Sequence, residues 1–134
     1  MFRRADFEKS LRHWSNRQQF RNIITDIYDG EVWRTFKDTN EEGSPNFFRP
    51  EVADSHIGLM INLDWFQPFD GTNYSTGAIY AAICNLLRNV QFKWENMLLI
   101  GLLPGLTKVS LSKINHYLAP IVNELKALSL NESG

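Results

Sequence analysis

Between His56 and Gly105 the sequence carries three apolar stretches, each about one strand long and separated by turn formers. This pattern constrains the fold more than any other feature. The first, Ile57-Gly58-Leu59-Met60-Ile61-Asn62-Leu63-Asp64-Trp65-Phe66, is β-prone and reads as a central strand buried on both faces. Pro68 ends it, and Asp70-Gly71-Thr72-Asn73 is strong turn chemistry. The second run, Tyr74 to Leu86, contains Ala78-Ile79-Tyr80-Ala81-Ala82-Ile83-Cys84, whose alanines leave strand and helix both open. The turn before it favours an antiparallel partner for the first run. The third run, Asn96 to Leu103, is unbroken apolar sequence closed by Pro104-Gly105 and predicts a strand.

Helical patterns flank these runs. Phe7, Leu11 and Trp14 recur at i, i+4 and i+7 with Asp6 as the expected N-cap. Phe20, Ile23, Ile24 and Ile27 predict a second helical stripe, and Val32, Trp33 and Phe36 a short third one after Asp29-Gly30. Asp38 to Pro50 is a polar loop rich in turn formers. Downstream, Leu111, Ile114, Tyr117, Leu118, Ile121, Val122, Leu125 and Leu128 keep helical spacing, with Ser110 as the expected N-cap. Pro120 inside that stripe predicts a kink or a restart, and Ser129 to Gly134 is expected to fray. The fold class is therefore mixed α and β. Residues 1–50 form a helical segment with a linker, and residues 51–134 hold three antiparallel strands and one helix.

Composition excludes several classes. Apolar residues make up 43% of the 134 and aromatics 13%, enough for a buried core. The apolar runs, such as Met97 to Leu103, are far too short to span a bilayer, so no membrane partner is expected. The start turns charged at once, so no secretory leader is expected. Cys84 is the only cysteine, which excludes an internal disulfide and a cysteine-rich zinc site and makes an intracellular setting the default. The net charge is −1, but it is unevenly spread. Arg3, Arg4, Lys9, Arg12, Arg17 and Arg21 face only Asp6 and Glu8 over residues 1–21, a net of +4. These six are the candidate DNA contacts, but +4 is a small footprint and a solvated helix face is the simpler reading. His13, His56 and His116 lack metal-ligand spacing. Trp14, Trp33, Trp65 and Trp94 fall on helical or strand stripes and are expected in the core.

Asp64 is the sharpest residue. It lies between Leu63 and Trp65-Phe66, where an ionised carboxylate costs several kcal/mol unless it is paired, hydrogen-bonded or bound to metal. Two readings stand: a metal ligand, or a cap at the strand end toward Pro68.

Three segments carry a resemblance. They are Ile57 to Phe69 with Tyr74-Ser75-Thr76-Gly77-Ala78-Ile79-Tyr80, Glu95 to Gly105, and Ile114-Asn115-His116-Tyr117-Leu118-Ala119-Pro120 to Leu125. Together they are similar to the opening of the catalytic domain of CACTA-type (En/Spm-like) DDE transposases. Ile27-Tyr28-Asp29-Gly30-Glu31-Val32-Trp33 resembles the segment ahead of that core, so the resemblance covers about residues 3–128. It implies an RNase H-like core, here incomplete, and a parent activity of DNA cut-and-paste transposition. The parent would use Mg²⁺ ions held by three carboxylates, act on DNA, and work in the nucleus. Asp64 matches the first acid of the triad. The motif of Asp, an apolar residue, Pro and Ala that carries the second acid is not in these 134 residues, nor is the third acid. Asp54 and Asp70 flank the first strand in loops and Glu95 precedes the third, and nothing in the sequence places them beside Asp64 as substitutes. The chain also departs from the pattern at Leu87 and Leu106, where relatives have proline. The resemblance thus implies a truncated transposase relic without catalysis of its own and with no stably bound metal. The alternative is a non-catalytic module that binds DNA or a full-length transposase through residues 3–21 or an open strand edge.

Overall fold

The computed structural model describes residues 5–20, 22–67, 70–71, 75–105 and 111–131. The chain is an α+β protein. Its elements are α1 (Ala5–Arg12), α2 (Glu31–Thr35), β1 (Leu59–Phe66), β2 (Ser75–Ile83), α3 (Arg88–Gln91), β3 (Met97–Gly105) and α4 (Leu111–Asn131). The strands form one antiparallel sheet in the order β1-β2-β3. The chain divides into two compact units, Met1–Met60 with Ala82–Met97, and Ile61–Ala81 with Leu98–Gly134.

The first unit holds the described core. Phe7 and Leu11 of α1 are buried, and Leu11 is fully so, against Ile83 and Leu86, with Ile57, Leu59 and Val90 around them. The expected α1 stripe thus forms, and a 3-10 turn at His13–Asn16 carries it on to Trp14. The helix already includes Ala5, so Asp6 sits in its first turn rather than at its cap. A second cluster gathers Trp14, Tyr28, Trp33, Ala53 and Cys84, with Phe48 stacked on Trp33 at a ring separation of 3.6 Å. Trp14 meets Trp33 edge to face at 5.3 Å, and Tyr28 meets Trp33 similarly at 5.0 Å. Burying aromatic surface on this scale stabilises by a few kcal/mol per ring. Among the described residues the indole N–H groups of Trp14 and Trp33 are buried without a hydrogen-bond partner.

Two buried polar residues join separate stretches of this unit. Asn85 is fully buried. Its Oδ1 accepts from Gly58 N at 2.9 Å, and its Nδ2 donates to the carbonyls of His56 at 2.9 Å and Ala53 at 3.2 Å. The Tyr28 hydroxyl reaches the carbonyls of Cys84 at 2.7 Å and Leu86 at 2.9 Å. Asn85 thus satisfies backbone groups just before β1 and Tyr28 serves those just after β2, which irregular buried chain could not do alone. A Cβ on Gly58 would stand 3.1 Å from the rings of both Phe48 and Trp33, so this position needs glycine for close approach rather than for φ.

Several sequence expectations change. Residues 17–20 and 22–26 are not helical, and Phe20, Ile23 and Ile24 stay exposed, Ile24 at 79%. The cause is a local network centred on Asp29. It accepts from both terminal nitrogens of Arg17 at 2.6 and 3.0 Å, from Thr25 N and Oγ1 at 2.9 Å, and from Asp26 N at 3.2 Å. These side-chain bonds offer the backbone an alternative to helix, and Asp26 instead caps a 3-10 turn at Ile27–Asp29. The short helix expected around Trp33 does form, as α2.

β1 is an edge strand, not the central one, and it is not buried on both faces. β2 takes the centre. Its small residues Ala78, Ala81 and Ala82 are buried together with Ile79 and Ile83, which resolves the alanine-rich run as strand. An apolar run alone does not distinguish edge from centre, because antiparallel sheets can face water on one side. β3 continues through Pro104 to Gly105. An edge position tolerates proline, since an outward backbone position needs no N–H donor.

In the second unit the Trp65 ring lies over Gly77, where a Cβ would meet it at 3.1 Å. Ser75 Oγ donates to the Gly105 carbonyl at 3.1 Å. α4 is a single helix of 21 residues running through Pro120, and it reaches Asn131 where fraying was expected from Ser129. Ser110, Pro68 and the Thr72-Asn73 part of the predicted turn lie outside the described residues. Ile114, Leu118 and Ile121 of α4 are half-buried, while Tyr117, Val122, Leu125 and Leu128 are exposed. No described helix is long and apolar enough to cross a membrane.

Candidate functional site

β1 alternates in exposure over its second half, as a strand with one wet face does. Leu63 and Trp65 are half-buried between the exposed Asn62, Asp64 and Phe66, whereas Met60 and Ile61 are both exposed after the half-buried Leu59. Asp64 therefore projects from the solvent-facing row, and the desolvation cost expected of an acid between Leu63 and Trp65 does not arise. The flanking apolar residues sit on the opposite face or at the strand end. A side chain in this place is free to meet a cation, and equally well placed as an ordinary solvated carboxylate.

The acids considered as partners each have their own setting. Asp54 belongs to the first unit, where its Oδ2 accepts from Arg12 Nε at 3.0 Å and Nη2 at 2.6 Å. Glu95 also lies in the first unit, exposed on the 3-10 turn before β3. Asp70 is exposed in the turn after β1, in the same unit as Asp64. Among the described residues no three His, Cys, Asp or Glu side chains gather where they could hold a metal ion. Two divalent ions need several converging oxygen ligands, and a lone exposed carboxylate does not fit that requirement.

Of the basic candidates, Lys9 is exposed on α1. Arg12 holds Asp54 and also donates to the Pro50 carbonyl at 3.2 Å. Arg17 pairs with Asp29, and its guanidinium lies 5.5 Å from the centre of the Tyr28 ring. Arg3, Arg4 and Arg21 lie outside the described residues. The positive charge at Arg12 and Arg17 is thus matched within the chain.

The strongest electrostatic perturbations are elsewhere. The Arg17 hydrogen bonds, with those from Thr25, hold the Asp29 carboxyl well below the usual carboxylate range. Arg49 at 3.0 Å, reinforced by His56 Nε2 at 3.4 Å, lowers the pKa of Asp38. Burial pushes the Tyr28 hydroxyl up and raises the Cys84 thiol. Cys84 is a buried small group in the aromatic cluster. Trp14 and Trp33 are core residues and Trp65 packs on Gly77, but Trp94 is 81% exposed, against expectation. It sits on the turn before β3 rather than on a packed stripe.

Pattern reading missed Asn85 and the Arg17–Asp29 pair. The signal for Asn85 was a polar residue directly after a run of buried β2 residues; for the ion pair, whose partners are 12 residues apart in irregular chain, periodicity holds none. Comparison of the chain with protein-family models, with curated proteins and with solved structures finds no match.

Proposed function

We propose that the chain derives from a DNA cut-and-paste transposase of the CACTA type, and that these 134 residues do not themselves cut DNA. One observation supports this reading above others. Three antiparallel strands in the order β1-β2-β3 precede a long helix, and Asp64 stands near the end of the first strand, open to solvent. That is where the resemblance puts the first acid of an RNase H-like core. In the parent chemistry Mg²⁺ ions would activate the attacking hydroxyl and stabilise the leaving oxygen. Asp64 supplies one carboxylate toward such a site, and no step can be built on it alone. Nuclear location belongs to the same reading.

Two measurements test it. Sequencing the encoding DNA beyond Gly134 is expected to reveal the Asp–apolar–Pro–Ala motif and a later acid; unrelated sequence there counts against the ancestry. Purified protein with supercoiled DNA and Mg²⁺ or Mn²⁺ is expected to leave the DNA intact. Cleavage that disappears in Asp64→Asn would show that the chain is an active nuclease and overturn the second half of the proposal.

A second reading is favoured by the exposed α4 residues Tyr117, Val122, Leu125 and Leu128. Such a surface suits a module that docks on a full-length transposase or accompanies it on DNA. Sedimentation with duplex DNA across a salt series, and with the cognate enzyme, decides it. A steep salt slope or a stable complex supports the module, and indifference to both removes it.

A further inference from the structure

β1 closes one side of the sheet. The Gly58 carbonyl accepts from Cys84 N at 2.8 Å, and the Gly58 N–H donates to Asn85 Oδ1 at 2.9 Å, so Gly58 turns both backbone groups toward β2 and its end. The alternation of a strand carries that orientation to Met60, Asn62 and Asp64. It turns the N–H and C=O groups of Leu59, Ile61, Leu63 and Trp65 to the open edge. This edge is eight residues long, has no proline, and bears one charge, Asp64; the other edge strand, β3, contains Pro104. Long edges with few charges are templates for another strand.

We propose that β1 pairs antiparallel with β1 of a second copy about a two-fold axis at Leu63, joining two sheets into one isologous dimer. The strand is close to a chemical palindrome about that residue. Met60 comes opposite Phe66, Ile61 opposite Trp65, Asn62 opposite Asp64, and Leu63 opposite itself. Every pair is apolar with apolar or amide with carboxylate, and each occurs twice by symmetry. The register also sets outward backbone groups against outward backbone groups, as the hydrogen-bond ladder requires. The neighbouring registers that meet this requirement are poorer. An axis at Asp64 opposes two carboxylates directly, and an axis at Asn62 sets Asp64 against Met60. The near-palindromic order of apolar and polar side chains therefore selects both the partner and the register. The inference stands whether or not the chain descends from a transposase.

Sedimentation equilibrium of the full chain from about 1 to 100 µM tests it, a range suited to a weak interface. A monomer–dimer equilibrium is expected. Asn62→Asp places acid opposite acid twice and is expected to weaken the dimer about tenfold. The double variant Asn62→Asp with Asp64→Asn exchanges the two groups and is expected to restore it. Both side chains are exposed, and a thermal melt of each variant reports whether the fold is retained. A monomer at every concentration, open-ended assembly, a dimer indifferent to Asn62→Asp, or failure of the double variant to recover would each overturn the proposal.

Discussion

Asn85 shows how much one side chain can organise. With one amide it satisfies three backbone groups spread over residues 53–58, and it does so at zero exposure. Replacing it by Ala leaves the Gly58 N–H and the Ala53 and His56 carbonyls without that partner. Buried groups left unsatisfied cost about 1–3 kcal/mol each, with some relaxation, so Asn85→Ala is expected to destabilise by about 3 kcal/mol. Urea unfolding followed by tryptophan fluorescence checks this; a loss below about 1 kcal/mol would mean that water replaces the amide readily. The sequence marks Asn85 only as a polar residue after an apolar run. Its three partners are distant in sequence and become neighbours only when β1 and β2 pair. Asp64 teaches the converse. Its apolar neighbours in sequence suggest burial, yet alternation along an edge strand leaves it in water.

At the scale of elements, the helices and strands were legible where periodicity and turn chemistry agreed. The Phe7-Leu11-Trp14 stripe, the three strands and α4 all formed as expected. The Phe20-Ile23-Ile24-Ile27 stripe has the same periodicity but no helix, because Asp29 and Arg17 hold the backbone in another path. Periodicity reports what a helix could bury, not whether a packing partner exists. α4 also holds a proline that the sequence marked as unfavourable inside a helix. Pro120 removes the donor to the His116 carbonyl and crowds the preceding turn, yet the helix continues through it. Pro120→Ala is therefore expected to raise stability by about 1–3 kcal/mol and to increase helical circular dichroism. No gain in either would show that the turn around Pro120 has already adjusted to the ring.

For the whole molecule, pH acts from both sides. Asp29 and Asp38 have folded-state pKa values depressed by Arg17 and Arg49. Depressed carboxylates contribute stability that is complete above the unfolded value of about 4 and is lost as pH falls below it. Tyr28 is shifted the other way by burial, so its contribution is complete below about pH 10 and is lost as pH rises beyond that. Burial raises the Cys84 thiol as well, so stability is expected to be flat between about pH 5 and 8 and to fall at both ends. Arg17→Met should lower stability at neutral pH and reduce the additional loss on going to about pH 3. Urea midpoints at both pH values check this, and an unchanged acid-induced loss would remove Asp29 from the account.

The sequence by itself determined the class of fold. Hydrophobic periods and turn residues act locally, and local pattern suffices to fix three strands, their antiparallel sense and the helices on either side. It also placed Asp64 on the first strand. Only the tertiary structure decided that β2 rather than β1 is central, that Asp64 faces water, and that Arg12 and Arg17 are matched by Asp54 and Asp29. Those outcomes depend on which surfaces and charges meet across long stretches of chain, and such meetings leave no periodic trace in the sequence.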